Sequence, residues 1–197
     1  MTTTEPQLAR RDVVAALLRD RGDMLVVTGL GSPAYDVHAA GDHDGNFYLW
    51  GAMGGAALMG LGLAQARPDR RVLVVTGDGE QLMGMGGLAT IGAGGPRNLA
   101  IAVIDNQHFG ETGMQASHTG RGVDLAGVAT ACGFASAVTV SDAAGLAQVC
   151  EALARPADGP RLAVIKVRSV NPPRSLPIRD AVALKTRFRA ALGLAPN

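Results

Sequence analysis

Two oxygen-bearing side chains, Asp78 and Asn106, stand 28 positions apart, and each follows an apolar run. Asp78 lies between two glycines, and Asn106 follows Asp105. A hard cation such as Mg²⁺ prefers oxygen ligands and typically combines one or two protein groups with phosphate oxygens. Asp78 could supply a charge, Asn106 an amide oxygen and a following backbone carbonyl a third ligand. The pair therefore indicates a metal and phosphate site, although an aspartate between glycines is also typical of a simple turn.

These side chains need a scaffold, and the hydrophobic pattern predicts one. Short apolar runs bounded by glycine or polar residues predict buried strands over 24–28, 71–76, 99–104, 135–140 and 162–167. Helices are expected from apolar and small-residue spacing over 6–20, 53–66, 82–93, 124–132, 142–154 and 179–192. Strands that alternate with helices form a parallel sheet with helices on both faces. We therefore expect an α/β fold, a single doubly wound domain over 1–197 with a tail from 171 that combines a proline-rich segment and a helix.

The predicted strands place the candidate ligands at one edge of the sheet. In open α/β sheets, ligands bind beyond the carboxyl ends of the strands. Three such ends are polar and glycine-rich, namely 29–32, 77–80 and 105–113. A separation of 28 residues fits one crossover helix and one strand. The three segments should therefore converge around one ligand.

The composition excludes several classes of protein. A net charge of +1 argues against a nucleic-acid-binding surface. Two cysteines provide neither a metal-binding spacing nor a disulfide framework. The longest apolar stretch, 49–64, is interrupted by five glycines and is too short to span a membrane. The first residues contain no apolar signal core. We expect a cytoplasmic protein that binds neither nucleic acid nor membrane.

Taken together, the motifs resemble those of thiamine diphosphate enzymes. The spacing from Gly77-Asp78-Gly79 to Asn106 is similar to the signature of that superfamily, and Trp50-Gly51-Ala52-Met53-Gly54 stands about 25 residues earlier, where its decarboxylases carry a turn of glycine and small apolar residues. Within it, the chain resembles the β subunits of sulfopyruvate and phosphonopyruvate decarboxylases, through residues 30–33, 46–49, 84–92 and 112–115. It departs from them at Ala52, where serine is usual, at Gly55, where a larger residue is usual, at Asp105, where a second asparagine is usual, and at 116–117, where Pro-Thr is usual.

The resemblance implies thiamine diphosphate and Mg²⁺ as cofactors, and it assigns roles to particular residues. Asp78, Asn106 and the carbonyl of His108 would bind the metal. The Gly51 carbonyl would accept from the aminopyrimidine, and Met53 would hold the cofactor bent, unless Met53 is only core filler. The diphosphate would be bound by the strand-end loops, at Gly29, Gly31, Ser32, Gly77, Gly79, Glu80, Gly110 and Glu111.

Four polar side chains follow the metal site and are candidates for catalysis. His108, Glu111, Gln115 and His118 all lie in one segment. Beside a cofactor they could bind an anionic substrate or transfer protons. Each of them could also belong to a solvated loop without a catalytic role.

The residues that are missing indicate a partner. In this superfamily, a glutamate of the pyrimidine-binding domain activates the cofactor. The chain has four glutamates, Glu5, Glu80, Glu111 and Glu151, and none lies in such a domain. We therefore expect a homologous pyrimidine-binding α subunit to supply it, and the apolar segment 51–59 to lie at the interface.

The resemblance leaves three functions open. The first is a subunit that decarboxylates a small 2-oxo acid with a second anionic group. The second is a subunit of a carboligase similar to acetolactate synthase, because both reactions would use the same residues. The third is a non-catalytic cofactor-binding regulatory subunit, against which the intact Asp78 and Asn106 argue. The composition argues against an enzyme with iron–sulfur clusters, because two cysteines cannot ligate a cluster.

Overall fold

A six-stranded parallel sheet forms the centre of the computed structural model, which describes residues 8–153, 155 and 157–195. Its strands are β1 (Leu25–Thr28), β2 (Asn46–Tyr48), β3 (Val72–Gly77), β4 (Leu99–Asp105), β7 (Ser136–Val140) and β8 (Arg161–Lys166). They are arranged in the order β2-β1-β3-β4-β8-β7. The short strands β5 (His108–Phe109) and β6 (Gln115–Ala116) form an antiparallel pair beyond β4.

Helices cover both faces of the sheet. They are α1 (Arg10–Leu18), α2 (Ser32–Ala39), α3 (Ala56–Ala66), α4 (Asp78–Met83), α5 (Gly87–Gly94), α6 (Leu125–Ala131), α7 (Ala143–Leu153) and α8 (Ala181–Ala191), with a 3-10 turn at Thr119–Arg121. Alternate strand residues point to opposite faces, so that Val74 packs with α3, α5 and α6 and Val75 packs with α1, α2 and α7. The α/β fold with a doubly wound parallel sheet is confirmed.

Several elements differ from the sequence-based prediction. The helix expected over 82–93 is divided into α4 and α5, because the glycines between them allow a close backbone contact. A Cβ atom on Gly84 would lie 2.1 Å from the carbonyl oxygen of Gly54. The helix expected from 53 begins at Ala56, since the preceding residues form a turn. Helix α2 and strand β2 were not predicted. Strand β2 is only three residues long, and α2 is only eight residues long and begins with a serine and a proline.

The chain after β8 crosses the carboxyl edge of the sheet before it enters α8. Along this path Asn171 Nδ2 donates to the Gly110 carbonyl at 3.3 Å, and Trp50 Nε1 donates to the Ile178 carbonyl at 2.8 Å. Asp180 then caps α8 by accepting from two backbone N–H groups. This crossing segment closes one side of the strand-end region. Among the described residues, no helix is both long and apolar enough to cross a membrane.

Candidate functional site

The register of the sheet places the predicted metal ligand Asp78 beside the end of β4, which the second predicted ligand, Asn106, follows. Gly77 on β3 pairs with Ile104 on the neighbouring strand β4. The next residues, Asp78 at the start of α4 and Asp105 at the end of β4, therefore occupy adjacent positions, and Asn106 follows Asp105 directly. Asp78 is the first residue of α4, where the exposed backbone N–H groups of the helix favour a negative charge.

Asp78 and Asp105 belong to a buried network of hydrogen bonds. The Asp78 carboxylate accepts from the Ser117 hydroxyl and from Thr119 Oγ1 at 3.1 Å. Thr119 Oγ1 also lies 2.8 Å from Asp105 Oδ1. On its other side, Asp105 Oδ2 pairs with Lys166 Nζ at 2.5 Å. The network joins the ends of β3, β4 and β8 and holds two buried carboxylates against a single ammonium group.

The electrostatic balance of this network favours a cation. Burial, together with the nearby negative charge of Asp105, raises the pKa of Asp78 to about 6, although the hydroxyls of Ser117 and Thr119 oppose the shift. A divalent cation would supply the missing positive charge. The available donors are carboxylate, amide and carbonyl oxygens, which are the ligands that Mg²⁺ prefers. The residues present therefore fit a bound Mg²⁺.

The turn after β4 positions Asn106 and His108 relative to each other. Gln107 has a φ of 62°, a left-handed conformation that is uncommon outside glycine. Asn106 Oδ1 accepts from the His108 backbone N–H at 3.0 Å, which leaves its second lone pair available for a ligand. The His108 ring lies 2.8 Å from the Asn106 carbonyl through Nδ1. In this arrangement Nδ1 carries a proton and donates to the carbonyl.

The loop glycines allow close packing around the strand ends. A Cβ atom on Gly79 would lie 2.8 Å from the Phe109 ring, and a Cβ atom on Gly29 would overlap the Glu80 carboxylate. Burial raises the pKa of Glu80, although its hydrogen bond from Thr76 and the backbone N–H groups of nearby loops oppose the shift. The Glu80 side chain is therefore folded beneath the loop that follows β1. Its backbone, not its carboxylate, is the part that suits an anionic ligand.

The turn before α3 has an unusual backbone. Gly51, Ala52 and Gly54 all have positive φ angles, of 94°, 50° and 88°. A non-glycine residue in this region is strained, and such strain is frequent at functional sites. The turn raises Met53 toward solvent, where 44% of its surface is exposed. Met53 is therefore not core filler.

A cavity of about 220 Å³ lies at these strand ends. It collects most of the residues that the sequence singled out, namely Ser32, Met53, Gly77, Asp78, Gly79, Glu80, Asn106, His108, Gly110 and Glu111. Gly29, Gly31 and Gly51 lie in the surrounding loops and do not line the cavity. A second cavity of about 220 Å³ is lined by residues of β4, β7, β8 and α7, and no residue of the polar network is among them.

Of the four predicted catalytic side chains, two line the cavity and two do not. His108 and Glu111 line the cavity, and Glu111 forms an ion pair with Arg174 at 2.9 Å. Gln115 is exposed and exchanges hydrogen bonds with Thr112. His118 is exposed and packs against Phe109 with ring centroids 6.2 Å apart. Gln115 and His118 are thus separated from the cavity in this conformation.

Sequence reasoning missed three parts of the site: the hydroxyls of Ser117 and Thr119, Lys166, and Arg10. Arg10 lines the cavity from the start of α1. Lys166 could have been found, because it stands one residue before the end of the strand predicted over 162–167, at the same edge as Asp78. Arg10 carries no comparable signal, since it stands far from every other site residue in the sequence.

Comparisons with known proteins agree with this geometry. Residues 35–167 match the family model described as "Thiamine pyrophosphate enzyme, C-terminal TPP binding domain". The chain is 37% identical to the sulfopyruvate decarboxylase subunit beta of Methanothermobacter thermautotrophicus over 166 residues, which cover 84% of this chain and 85% of that protein. It is 38% identical to the corresponding subunit of Methanocaldococcus jannaschii over 133 residues, 67% of this chain and 70% of that one.

Two further similarities involve longer proteins. The phosphonopyruvate decarboxylase of Streptomyces viridochromogenes is 41% identical over 74% of this chain, but the match spans only 36% of that protein. A solved structure of a putative thiamin diphosphate-dependent enzyme from Mycobacterium smegmatis has a TM-score of 0.69 at 22% identity, over 83% of this chain and 32% of that one. At that identity the likeness concerns the fold. On the matches to the family model and to the β subunits, this chain belongs to the thiamine pyrophosphate enzyme family, as a protein with that family's C-terminal cofactor-binding domain.

Proposed function

We propose that this chain is the β subunit of a decarboxylase that uses thiamine diphosphate and Mg²⁺ and acts on a small 2-oxo acid with a second anionic group. The observation that carries the proposal is the buried network of Asp78, Asp105 and Lys166 beneath a glycine-lined cavity, in a chain of this family. The network has a surplus of negative charge. Mg²⁺ held by Asp78, Asn106 and the His108 carbonyl would neutralise that charge and attract a diphosphate.

Different loops around the cavity would bind different parts of the cofactor. The backbone N–H groups of 29–32, 79–80 and 110–111 suit the diphosphate, because strand-to-helix turns direct amides toward anions. The Gly51 carbonyl and Met53 would face the pyrimidine from the opposite side. Bound there, the cofactor supplies the electron sink for decarboxylation. The protein orients it, and the cavity-lining His108 and Glu111 are the groups available to hold or move a proton near it.

The glutamates of the chain support the need for a partner. Glu80 is folded beneath the β1 loop, Glu111 is paired with Arg174, and Glu151 forms an exposed pair with Arg155 on the opposite edge. Glu5 lies outside the described residues. The Glu80 carboxylate lies near the backbone of Gly54 and Ala56, beside Met53, but it already accepts hydrogen bonds from Thr76 and from these loops. We infer that, within the part of the chain that the structure describes, no glutamate is free to activate a pyrimidine bound at Met53. A homologous α subunit would supply this carboxylate across the interface.

The nature of the substrate is inferred from relatives. Similar chains are named after sulfopyruvate and phosphonopyruvate decarboxylases, whose substrates carry a sulfonate or phosphonate next to the 2-oxo acid. We extend that substrate class to this chain.

The experiment is an assay of CO₂ release from sulfopyruvate, phosphonopyruvate and pyruvate with Mg²⁺ and thiamine diphosphate. The chain is assayed alone and with its candidate α subunit. We expect activity only with both subunits, and a preference for an acid with a second anionic group. Asp78→Ala should abolish turnover, whereas Asp158→Ala, at an exposed surface pair, should not change it. Turnover by the chain alone would contradict the division of labour, and unchanged cofactor affinity in Asp78→Ala would contradict the metal site.

A further inference from the structure

One charged side chain that lines the cavity has no role in the proposed function. Arg10 is buried, with 4% of its surface exposed, and it lines the cavity beside Ser32 and Glu111. Its Nη1 lies 3.1 Å from Asp36 Oδ2. Within the described part of the chain, however, neither Nε nor Nη1 has a hydrogen-bond partner of acceptable geometry. A buried guanidinium with unused donors is costly unless an acceptor satisfies them.

The charges around Arg10 leave a positive surplus. Asp36 is shared by two arginines, because Arg11 Nε also contacts it at 3.2 Å. Glu111 is already paired with Arg174. Arg10, Arg11 and Arg174 carry three positive charges, whereas their partners Asp36 and Glu111 carry two negative charges. One positive charge is therefore unbalanced at this side of the cavity. Burial lowers the pKa of Arg10, and Asp36 opposes the shift. An anion in the cavity would improve this balance.

The cavity is therefore polarised. The surplus negative charge of Asp78 and Asp105 lies at the ends of β3 and β4. Arg10 belongs to α1, which packs on the face of the sheet opposite to α3. Met53 precedes α3, so the cavity extends from Met53 on one face, past the metal ligands, to Arg10 on the other. A magnesium diphosphate has matching polarity, with a cation on one side and free phosphate oxygens on the other.

Resting on the proposed function, we propose that Arg10 is a direct ligand of the terminal phosphate of the cofactor's diphosphate. Arg10 would donate its unused N–H groups to phosphate oxygens, a geometry for which guanidinium is well suited. Met53, which would face the reacting end of the cofactor, lies on the other side of the residues that would hold the metal. Arg10 would therefore act on cofactor affinity and not on recognition of the 2-oxo acid.

The test compares the binding of three ligands by calorimetry, each with Mg²⁺: thiamine diphosphate, thiamine monophosphate and inorganic pyrophosphate. It uses the full chain, alone and with its partner subunit. Arg10→Met should weaken thiamine diphosphate and pyrophosphate by about 10- to 100-fold, the value of a hydrogen bond to a charged group. The affinity for thiamine monophosphate should stay within about twofold, because the terminal phosphate is absent. Arg11→Met is the matched control, because it removes the other partner of Asp36 but does not line the cavity.

Two further variants distinguish a direct loss of phosphate binding from an effect of misfolding. Arg10→Lys keeps the charge beside Asp36, and Arg10→Met combined with Asp36→Asn removes the buried pair together. Both should still lose diphosphate affinity selectively. Equal losses for both thiamine ligands, no loss for either, or a rise in the substrate KM at unchanged cofactor affinity would each overturn the assignment. Wild-type protein that binds pyrophosphate through Arg10 but not thiamine diphosphate would overturn the proposed cofactor and keep the anion site. Binding of neither would overturn both.

Discussion

At the scale of a single residue, the surroundings of Asp78 disfavour its negative charge without a cation and favour it with one. It is 2% exposed and lies near a second carboxylate. Without a cation, its ionised form is therefore disfavoured in the folded protein. With a cation, the same burial strengthens the interaction, because the local dielectric constant is low. The buried charge of Asp78 therefore destabilises the folded protein without metal, and metal binding removes this destabilisation.

We expect Asp78→Asn to change stability in opposite directions in the presence and absence of metal. The folded-state pKa of about 6 is above the ordinary value of 3.8. The stability that this shift contributes is present below about pH 4 and is lost as the pH rises through 6. At pH 7.5 in EDTA, Asp78→Asn should therefore be more stable than wild type, by on the order of 2–3 kcal/mol.

The measurement is denaturant unfolding at pH 4 and pH 7.5. In EDTA, the advantage of Asp78→Asn should nearly vanish at pH 4. With Mg²⁺ and thiamine diphosphate at pH 7.5, wild type should be the more stable, because only it gains binding energy. A variant that is less stable than wild type in EDTA at both pH values would show that Asp78 is not electrostatically disfavoured.

At the scale of elements, the site depends on a backbone contact between two glycine turns. The turn before α3 carries Met53, and the junction of α4 and α5 supports it. Gly54 has a φ of 88°, and a Cβ atom there would lie 2.8 Å from the Gly84 backbone nitrogen. The position of Met53 is therefore set by how closely these two backbones approach.

Gly84→Ala should displace this turn, because its Cβ atom would lie 2.1 Å from the Gly54 carbonyl oxygen. We expect a loss of about 1–3 kcal/mol of stability from overpacking, together with weaker binding of thiamine diphosphate. Gly86→Ala is the matched control, since it has an ordinary φ of −60° and open space around its Cβ position. It should be neutral or slightly stabilising. Thermal unfolding and calorimetry provide the comparison, and equal effects of the two variants would contradict the close contact.

At the scale of the whole molecule, a group of large apolar side chains is exposed on the side of the sheet that carries Met53. These residues are Met53, Leu58, Met59, Met83 and Met85. Clusters of this kind mark interfaces more often than free surface, and methionine adapts readily to a partner. The cluster borders the cavity, so the α subunit would close the site where the pyrimidine is expected.

Met83→Glu should prevent assembly with the α subunit, because it places a charge at the proposed interface. Met83 is 65% exposed, so the isolated chain should keep its stability. Val182→Glu on α8, where the valine is 70% exposed, is the matched control and should assemble normally. Light scattering on mixtures of the two subunits measures the outcome. Normal assembly of Met83→Glu would place the interface elsewhere.

The sequence by itself determined the fold class and the main elements of the cavity. Buried parallel strands appear as short apolar runs, and their ends appear as glycine and polar residues, so the convergence of Asp78 and Asn106 followed from local patterns. The resemblance to thiamine diphosphate enzymes then identified the family, which the comparisons confirmed. The residue assignments themselves remain predictions, and the structure places Gln115 and His118 outside the cavity.

Only the tertiary structure decided which side chains complete the site. Lys166 meets Asp105 across 61 positions, and Arg10 reaches the cavity from a different helix. The position of Lys166 near the end of a predicted strand indicated its edge of the sheet, but its pairing with Asp105 depends on the sheet register. Arg10 has no local signature, because its place at the cavity depends on the packing of α1 against α2. The burial of Asp78 and Arg10 could not be predicted from the sequence either, although it explains why Asp78 favours a cation and why Arg10 favours an anion. Charge balance in a folded protein depends on distances between residues that are remote in the sequence, and those distances exist only after folding.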